Sequence, residues 1–151
     1  MLLDSHIVPE TIVKPKSFVG LMALYESNYL RLLGLIPEID RIDGCFRSRV
    51  AGDCDLYVEI IERCRYTVTL SLTYQFPTDN GLLVDPDMSV RVYLDGQQAE
   101  VLAIGKHQHH AALQRLVRAH REELDRRWRC NMILNKWLDY LSDQGHLILE
   151  R

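Results

Sequence analysis

Three groups of residues in this chain have the types and spacing to do chemistry. In His107-Gln108-His109-His110, imidazoles stand two apart. On an extended segment, with His146 as a third ligand, such a run could hold Zn2+ or Ni2+. The plainer account is a polar loop with its histidines at the surface, leading into a helix. A metal site also needs partners that orient its ligands, and the pattern supplies none, so no metal and no cofactor are expected. The second group is Arg91, Tyr93, Asp95 and Glu100, which a hairpin would set on one face as a polar recognition surface. Opposite charges across neighbouring strands also stabilise a plain exposed sheet, by about 0.2–1 kcal/mol. The third group is Arg127, Trp128, Asn131 and Asn135. Arg127, Asn131 and Asn135 fall at i, i+4 and i+8, on one side of a helix. Asparagine is a mediocre helix former, so two in register point to a ligand contact or to a buried hydrogen bond. Trp128 lies off the apolar stripe and could form an aromatic shelf or pack under the sheet edge.

Familiar catalytic patterns are absent. The chain has no Gly-x-Ser-x-Gly, Walker loop, Gly-x-Gly-x-x-Gly or His-Glu-x-x-His. Cys45, Cys54, Cys64 and Cys130 show no Cys-x-x-Cys spacing and are expected as reduced thiols. Cys130 falls in a helical stripe, where a thiol is inert. Asp85 and Asp87 flank Pro86, which reads as turn formation.

The elements that must position these groups are legible from periodicity. Residues 1–16 contain Pro9 and Pro15 and read as an extended arm ahead of a single domain over 17–151. Ser17 is a suitable N-cap. Phe18, Leu21, Met22, Tyr25, Tyr29, Leu32, Leu33 and Ile36 then recur at helical spacing, and Pro37 ends the run. Strands are expected over Phe46 to Val50, Leu56 to Arg63 and Tyr66 to Phe76. In the last of these, Tyr66, Val68, Leu70, Leu72, Tyr74 and Phe76 share one face. Pro77 to Asp87 reads as a loop.

Met88, Val90, Val92 and Leu94 alternate with polar residues up to Asp95-Gly96, a type I′ turn signal. A two-residue loop there sets Val92 opposite Ala99, Val90 opposite Val101 and Arg91 opposite Glu100. Two C-terminal helices are expected: Ala111 to Arg121, then Leu124 to Ser142, with a break between His120 and Leu124. The second carries the stripe Cys130, Ile133, Leu134, Trp137, Leu138 and Leu141. Glu122, Glu123 and Asp125 stand four before Arg126, Arg127 and Arg129. The order gives an α+β fold: an N-terminal helix, a mostly antiparallel sheet of about five strands, and two C-terminal helices packed on one face.

A chain of 151 residues with net charge −3 has the size of one domain and lacks the basic stripe of a nucleic-acid binder. No apolar run is long enough to span a membrane, and the start lacks the pattern of a signal peptide. A cytoplasmic location is expected, with no membrane or nucleic-acid partner; a homodimer is compatible.

MSVRVYLDGQQAEV and LDRRWRCNMILNKWLDYLSDQGH, with LYESNYLRLLGLIP and RYTVTLSLTY, resemble the YqiB-like family of small bacterial proteins. The resemblance spans about Leu21 to His146. It implies a bacterial, cytoplasmic protein, and carries no activity, cofactor or catalytic residue. The expected role is a non-catalytic domain that binds a protein partner or a small, nucleotide-like ligand. It would do so through Arg91, Tyr93, Asp95, Glu100, Arg127, Trp128 and Asn131. The alternative is an enzyme of nucleotide or phosphorylated-metabolite metabolism, with the arginines holding phosphate. Convergence of Arg91, Glu100, Arg127 or Asn131 in a pocket would favour the enzyme.

Overall fold

The computed structural model describes residues 17–105 and 120–149. The expected arm, the His107–His110 run and nearly all of the segment expected as a first C-terminal helix lie outside the described residues. Helix α1 spans Phe18–Leu35. Strands β1 Cys45–Ser48, β2 Asp55–Arg63, β3 Thr67–Thr78, β4 Gly81–Tyr93 and β5 Gln98–Ile104 follow, then helix α2, His120–Gln144. The five strands lie in chain order and every neighbouring pair is antiparallel.

Alternation puts Leu56, Val58, Val68, Leu70, Leu72, Val90, Val92 and Ala99 on one sheet face. Leu32 and Ile36, together with Leu134, Trp137, Leu138 and Leu141 of α2, complete this core. Both helices therefore cover the same face, as expected. Trp137 is buried edge-on to Tyr74, with ring centroids 5.4 Å apart.

The helix ends follow local chemistry. The Ser17 hydroxyl accepts the Gly20 amide at 3.0 Å, satisfying one of the free donors at the start of α1. At the end of α2, Gly145 adopts φ 93°. Its amide reaches Ser142 O, and the His146 amide reaches Leu141 O. This is the Schellman arrangement that glycine permits.

Several expectations need correction. No break falls between His120 and Leu124, because α2 is continuous there. Leu124 and Trp128 serve a second apolar cluster with Leu21, Leu24 and Tyr25 of α1. The buried face of α2 therefore rotates along its length. Ile133 is 45% exposed and lies off the stripe. Phe18 is also outside its expected core, at 67% exposed, and Tyr66 is exposed beneath the Arg65 guanidinium.

The expected loop from Pro77 to Asp87 is mostly strand. Thr78 pairs with Gly81, so Asp79-Asn80 is the turn of a long β3–β4 hairpin. Asp85 and Pro86 stand opposite Tyr74 as a bulge, with the Asp85–Pro86 peptide cis. Proline has no amide to give the ladder, and a bulge is where a strand tolerates that. The Asp95-Gly96 loop holds four residues between the paired Tyr93 and Gln98, and the positive φ falls on Gln97. The expected register survives nonetheless: Val92 faces Ala99, Arg91 faces Glu100 and Val90 faces Val101.

Candidate functional site

The structure brings some of the residues expected to form a site together and turns others to different partners. Arg91 faces Glu100 in the ladder, but its guanidinium donates to Thr69 Oγ1 at 3.3 Å. Glu100 is instead taken by the Tyr93 hydroxyl at 2.5 Å and by Arg127 at 3.5 Å. Burial, then the Glu100 carboxylate, push the Tyr93 hydroxyl above its usual pKa. Asp95 accepts the Gly96 amide and serves its own turn. Trp128 is partly buried and packs against Leu21, Leu24 and Tyr25 of α1.

Asn131 and Asn135 belong to a buried network. The Asn131 side-chain oxygen Oδ1 accepts the Val101 backbone amide at 2.9 Å and the Asn28 side-chain amide at 3.1 Å. Asn135 donates to Asn28 at 2.9 Å and to Ser27 at 3.0 Å. All three asparagines are fully buried. Val101 lies on the edge strand β5, so Asn131 satisfies a backbone donor that the sheet leaves open. The network is a joint between α1, α2 and β5.

Arg127 sits at the rim of a groove of about 330 Å³, lined by Phe18, Leu21, Met22, Tyr25, Leu124, Glu100 and Glu123. Two of the four residues named for a pocket, Glu100 and Arg127, do meet there. Yet Arg127 also donates to Glu123 at 2.7 Å. A guanidinium balanced by two carboxylates is poorly placed to hold a phosphate. Glu123 pairs with Arg126 as well, whereas among the described residues no ion pair joins Asp125 to Arg129.

A second polar cluster has no local sequence signal. The His146 ring lies 2.8 Å from Ser48 Oγ through Nδ1 and 2.8 Å from Asp53 Oδ2 through Nε2. The Tyr74 hydroxyl donates to the same Asp53 oxygen at 2.6 Å. A neutral ring protonated on Nε2 satisfies both contacts, donating to Asp53 and accepting from Ser48. Burial opposes the Asp53 carboxylate. The hydrogen bonds from Tyr74 and His146 outweigh it and hold the carboxyl below its usual range.

Serine, histidine and carboxylate in series suggest an activated nucleophile. The Ser48 residue is only 7% exposed, however, and its hydroxyl already accepts the Leu147 amide. The cluster is a clasp that fastens the chain after α2 to β1 and the Gly52-Asp53 turn. Both His146 nitrogens are engaged, so His146 is not available as a metal ligand. Among the described residues no group of three or more metal-binding side chains occurs. The four cysteines are unpaired, and burial raises the Cys130 and Cys54 thiols.

Among the described residues, the sheet face away from the helices also holds a concavity. A hollow of about 300 Å³ is lined by Glu59, Ile61, Ser71, Thr73, Gln75, Val84, Asp87, Ser89 and Gly105. Ser71 bonds Thr73 at 3.2 Å, and Thr73 donates to Asp87 Oδ1 at 3.1 Å. The polar phase of β2, β3 and β4 supplies these groups. Bulges bend the strand that carries them and increase its twist. Register breaks fall beside the hollow, at Ile61 in β2 and at Asp85-Pro86 in β4. Sequence reasoning gave the apolar phase of β3, which leaves Ser71, Thr73 and Gln75 on the opposite face. It placed Asp87 in a loop and did not single out Glu59. The strand-like alternation through Asp87, Ser89 and Arg91 was the available signal.

Among the described residues no helix is long and apolar enough to cross a membrane. No curated protein and no solved structure matches the chain. Residues 31–147 match a family described as a protein of unknown function, DUF1249, and the chain belongs to that family.

Proposed function

We propose that the chain is a non-catalytic binding module whose open sheet face takes a small polar ligand. The observation that supports this most is the hollow on that face. Its hydroxyl, amide and carboxylate groups are positioned by strand register on the face opposite the core. The family match over residues 31–147 includes every residue that lines it and starts after Phe18, Leu21, Met22 and Tyr25 of the groove.

The alternative, an enzyme of phosphorylated metabolites, has less to rest on. Arg91 is directed to Thr69, Arg127 is balanced by Glu100 and Glu123, and Asn131 is buried in a joint. Placement among the YqiB-like proteins, bacterial and cytoplasmic, is part of the same proposal. It rests on the hairpin and tryptophan-helix sequences.

A thermal-shift screen of cationic, neutral and anionic metabolites tests the reading. A ligand at a hundred times its Kd adds about 2.7 kcal/mol to stability. Ser71→Phe, which fills the hollow from the central strand β3, should abolish the shift. A ligand that stabilises the Ser71→Phe variant equally would place binding elsewhere.

A further inference from the structure

We infer that Asn80 is a site of spontaneous covalent modification. Its side chain closes on the Gly81 amide, releases ammonia and reopens as aspartate or isoaspartate at the tip of the β3–β4 hairpin. The inference stands apart from the ligand reading above.

The chain holds four asparagines. Asn28, Asn131 and Asn135 are fully buried, hydrogen-bonded among themselves, and followed by Tyr29, Met132 and Lys136. Asn80 is exposed, stands in the Asp79-Asn80 turn and precedes Gly81. In the reaction the Gly81 nitrogen attacks Asn80 Cγ and gives its proton to solvent base. The N–Cγ bond forms as the Cγ–Nδ2 bond breaks, and Nδ2 departs as ammonia. Water then opens the resulting five-membered imide. Opening at the side-chain carbonyl leaves aspartate. Opening at the main-chain carbonyl leaves isoaspartate, with Cβ inserted into the backbone.

Two features of the turn favour closure. A side chain on the following residue would hinder the approach; glycine has none, and among the described residues nothing lies within 4 Å of where a Cβ at Gly81 would stand. Residues 78–81 are all exposed, and loop tips open at the least cost. At Asp95-Gly96 the side chain is a carboxylate, a poor electrophile, and it accepts the Gly96 amide at 2.9 Å. Isoaspartate would lengthen the main chain inside the turn that pairs Thr78 with Gly81 and lets the Thr78 hydroxyl donate to Gly81 O at 2.7 Å. That closing pair should be lost in the modified chain.

Peptide mapping by mass spectrometry, after the full-length protein is held in mildly alkaline buffer, tests the inference. The peptide containing Asn80 should show the mass of an amide converted to an acid, take heavy oxygen from labelled water, and separate into aspartyl and isoaspartyl forms. Asn28, Asn131 and Asn135 should remain intact. Asn80→Gln should stay unmodified, because its closure needs a larger ring. Conversion of Asn80 in the folded protein should come within about tenfold of its rate in the urea-unfolded chain, equivalent to an opening cost of no more than about 1.4 kcal/mol. Conversion slower than that, or conversion of a buried asparagine ahead of Asn80, would overturn the inference.

Discussion

The helix-covered side of the sheet and its open side both carry polar clusters, and the clusters differ in where their hydrogen bonds end. Under the helices, Asn28, Asn131 and Asn135 bond to one another, to Ser27 and to the Val101 amide. The Ser48–His146–Asp53 cluster likewise closes on Tyr74 and the Leu147 amide. In each case the partners belong to the fold itself, as is usual for buried polar groups, although the Asn135 side-chain oxygen is buried without a hydrogen-bond partner. On the open side, the chain of bonds from Ser71 through Thr73 runs to Asp87 at the wall of a hollow. The more suggestive residue types therefore lie on the structural side, and the plainer serines and threonines line the concavity. Residue type alone does not separate a joint from a site; the end point of the hydrogen bonds does.

Variants can break this contrast, and the largest effect should come from the covered side. Trp137→Ala removes a ring packed against Tyr74 and should cost roughly 3–5 kcal/mol in denaturant unfolding. Asn131→Ala leaves the Val101 amide and Asn28 without their acceptor and should cost about 1–3 kcal/mol. The melting point should fall, while ligand response on the open face persists.

Acid should loosen the clasp next. The folded-state pKa of Asp53 is lowered. Its contribution is therefore present above the unfolded value of about 3.9 and is lost as pH falls through the lowered folded value. Asp53→Asn should flatten the acid limb of a stability-against-pH curve; an unchanged limb would remove Asp53 from the account. Arg91→Ala should change stability by no more than about 0.5 kcal/mol. Glu100→Gln should cost more, because Tyr93 and Arg127 both depend on it. Equal effects would restore the symmetrical ion pair that the ladder suggests.

Local pattern carried much of the fold. The Ser17 cap, the stop before Pro37, the β4–β5 register and the burial of Trp137 all follow from near neighbours in sequence. The β4–β5 register held although the loop proved longer, because apolar alternation fixes which residues face the core. Asp79-Asn80 was hidden because Pro86 interrupts the strand pattern that would have revealed the hairpin. The clasp was hidden for another reason: His146 meets Ser48 and Asp53 across most of the chain, and no spacing rule reaches that far. On α1, Asn28 has the polarity of a surface residue. Only the partner helix, with its own asparagines, accounts for its burial. Of the expected site residues, Glu100, Tyr93 and Arg127 do meet, but in contacts that satisfy one another.

The central claim is that the open face of the sheet is where this protein binds. Amide chemical-shift mapping with a pool of small polar metabolites tests it most directly. The account predicts shifts clustered on Glu59, Ser71, Thr73, Asp87 and Ser89, with Asn131 and His146 unmoved. Shifts clustered instead on Met22, Tyr25 and Leu124, in the groove between the helices, would contradict it.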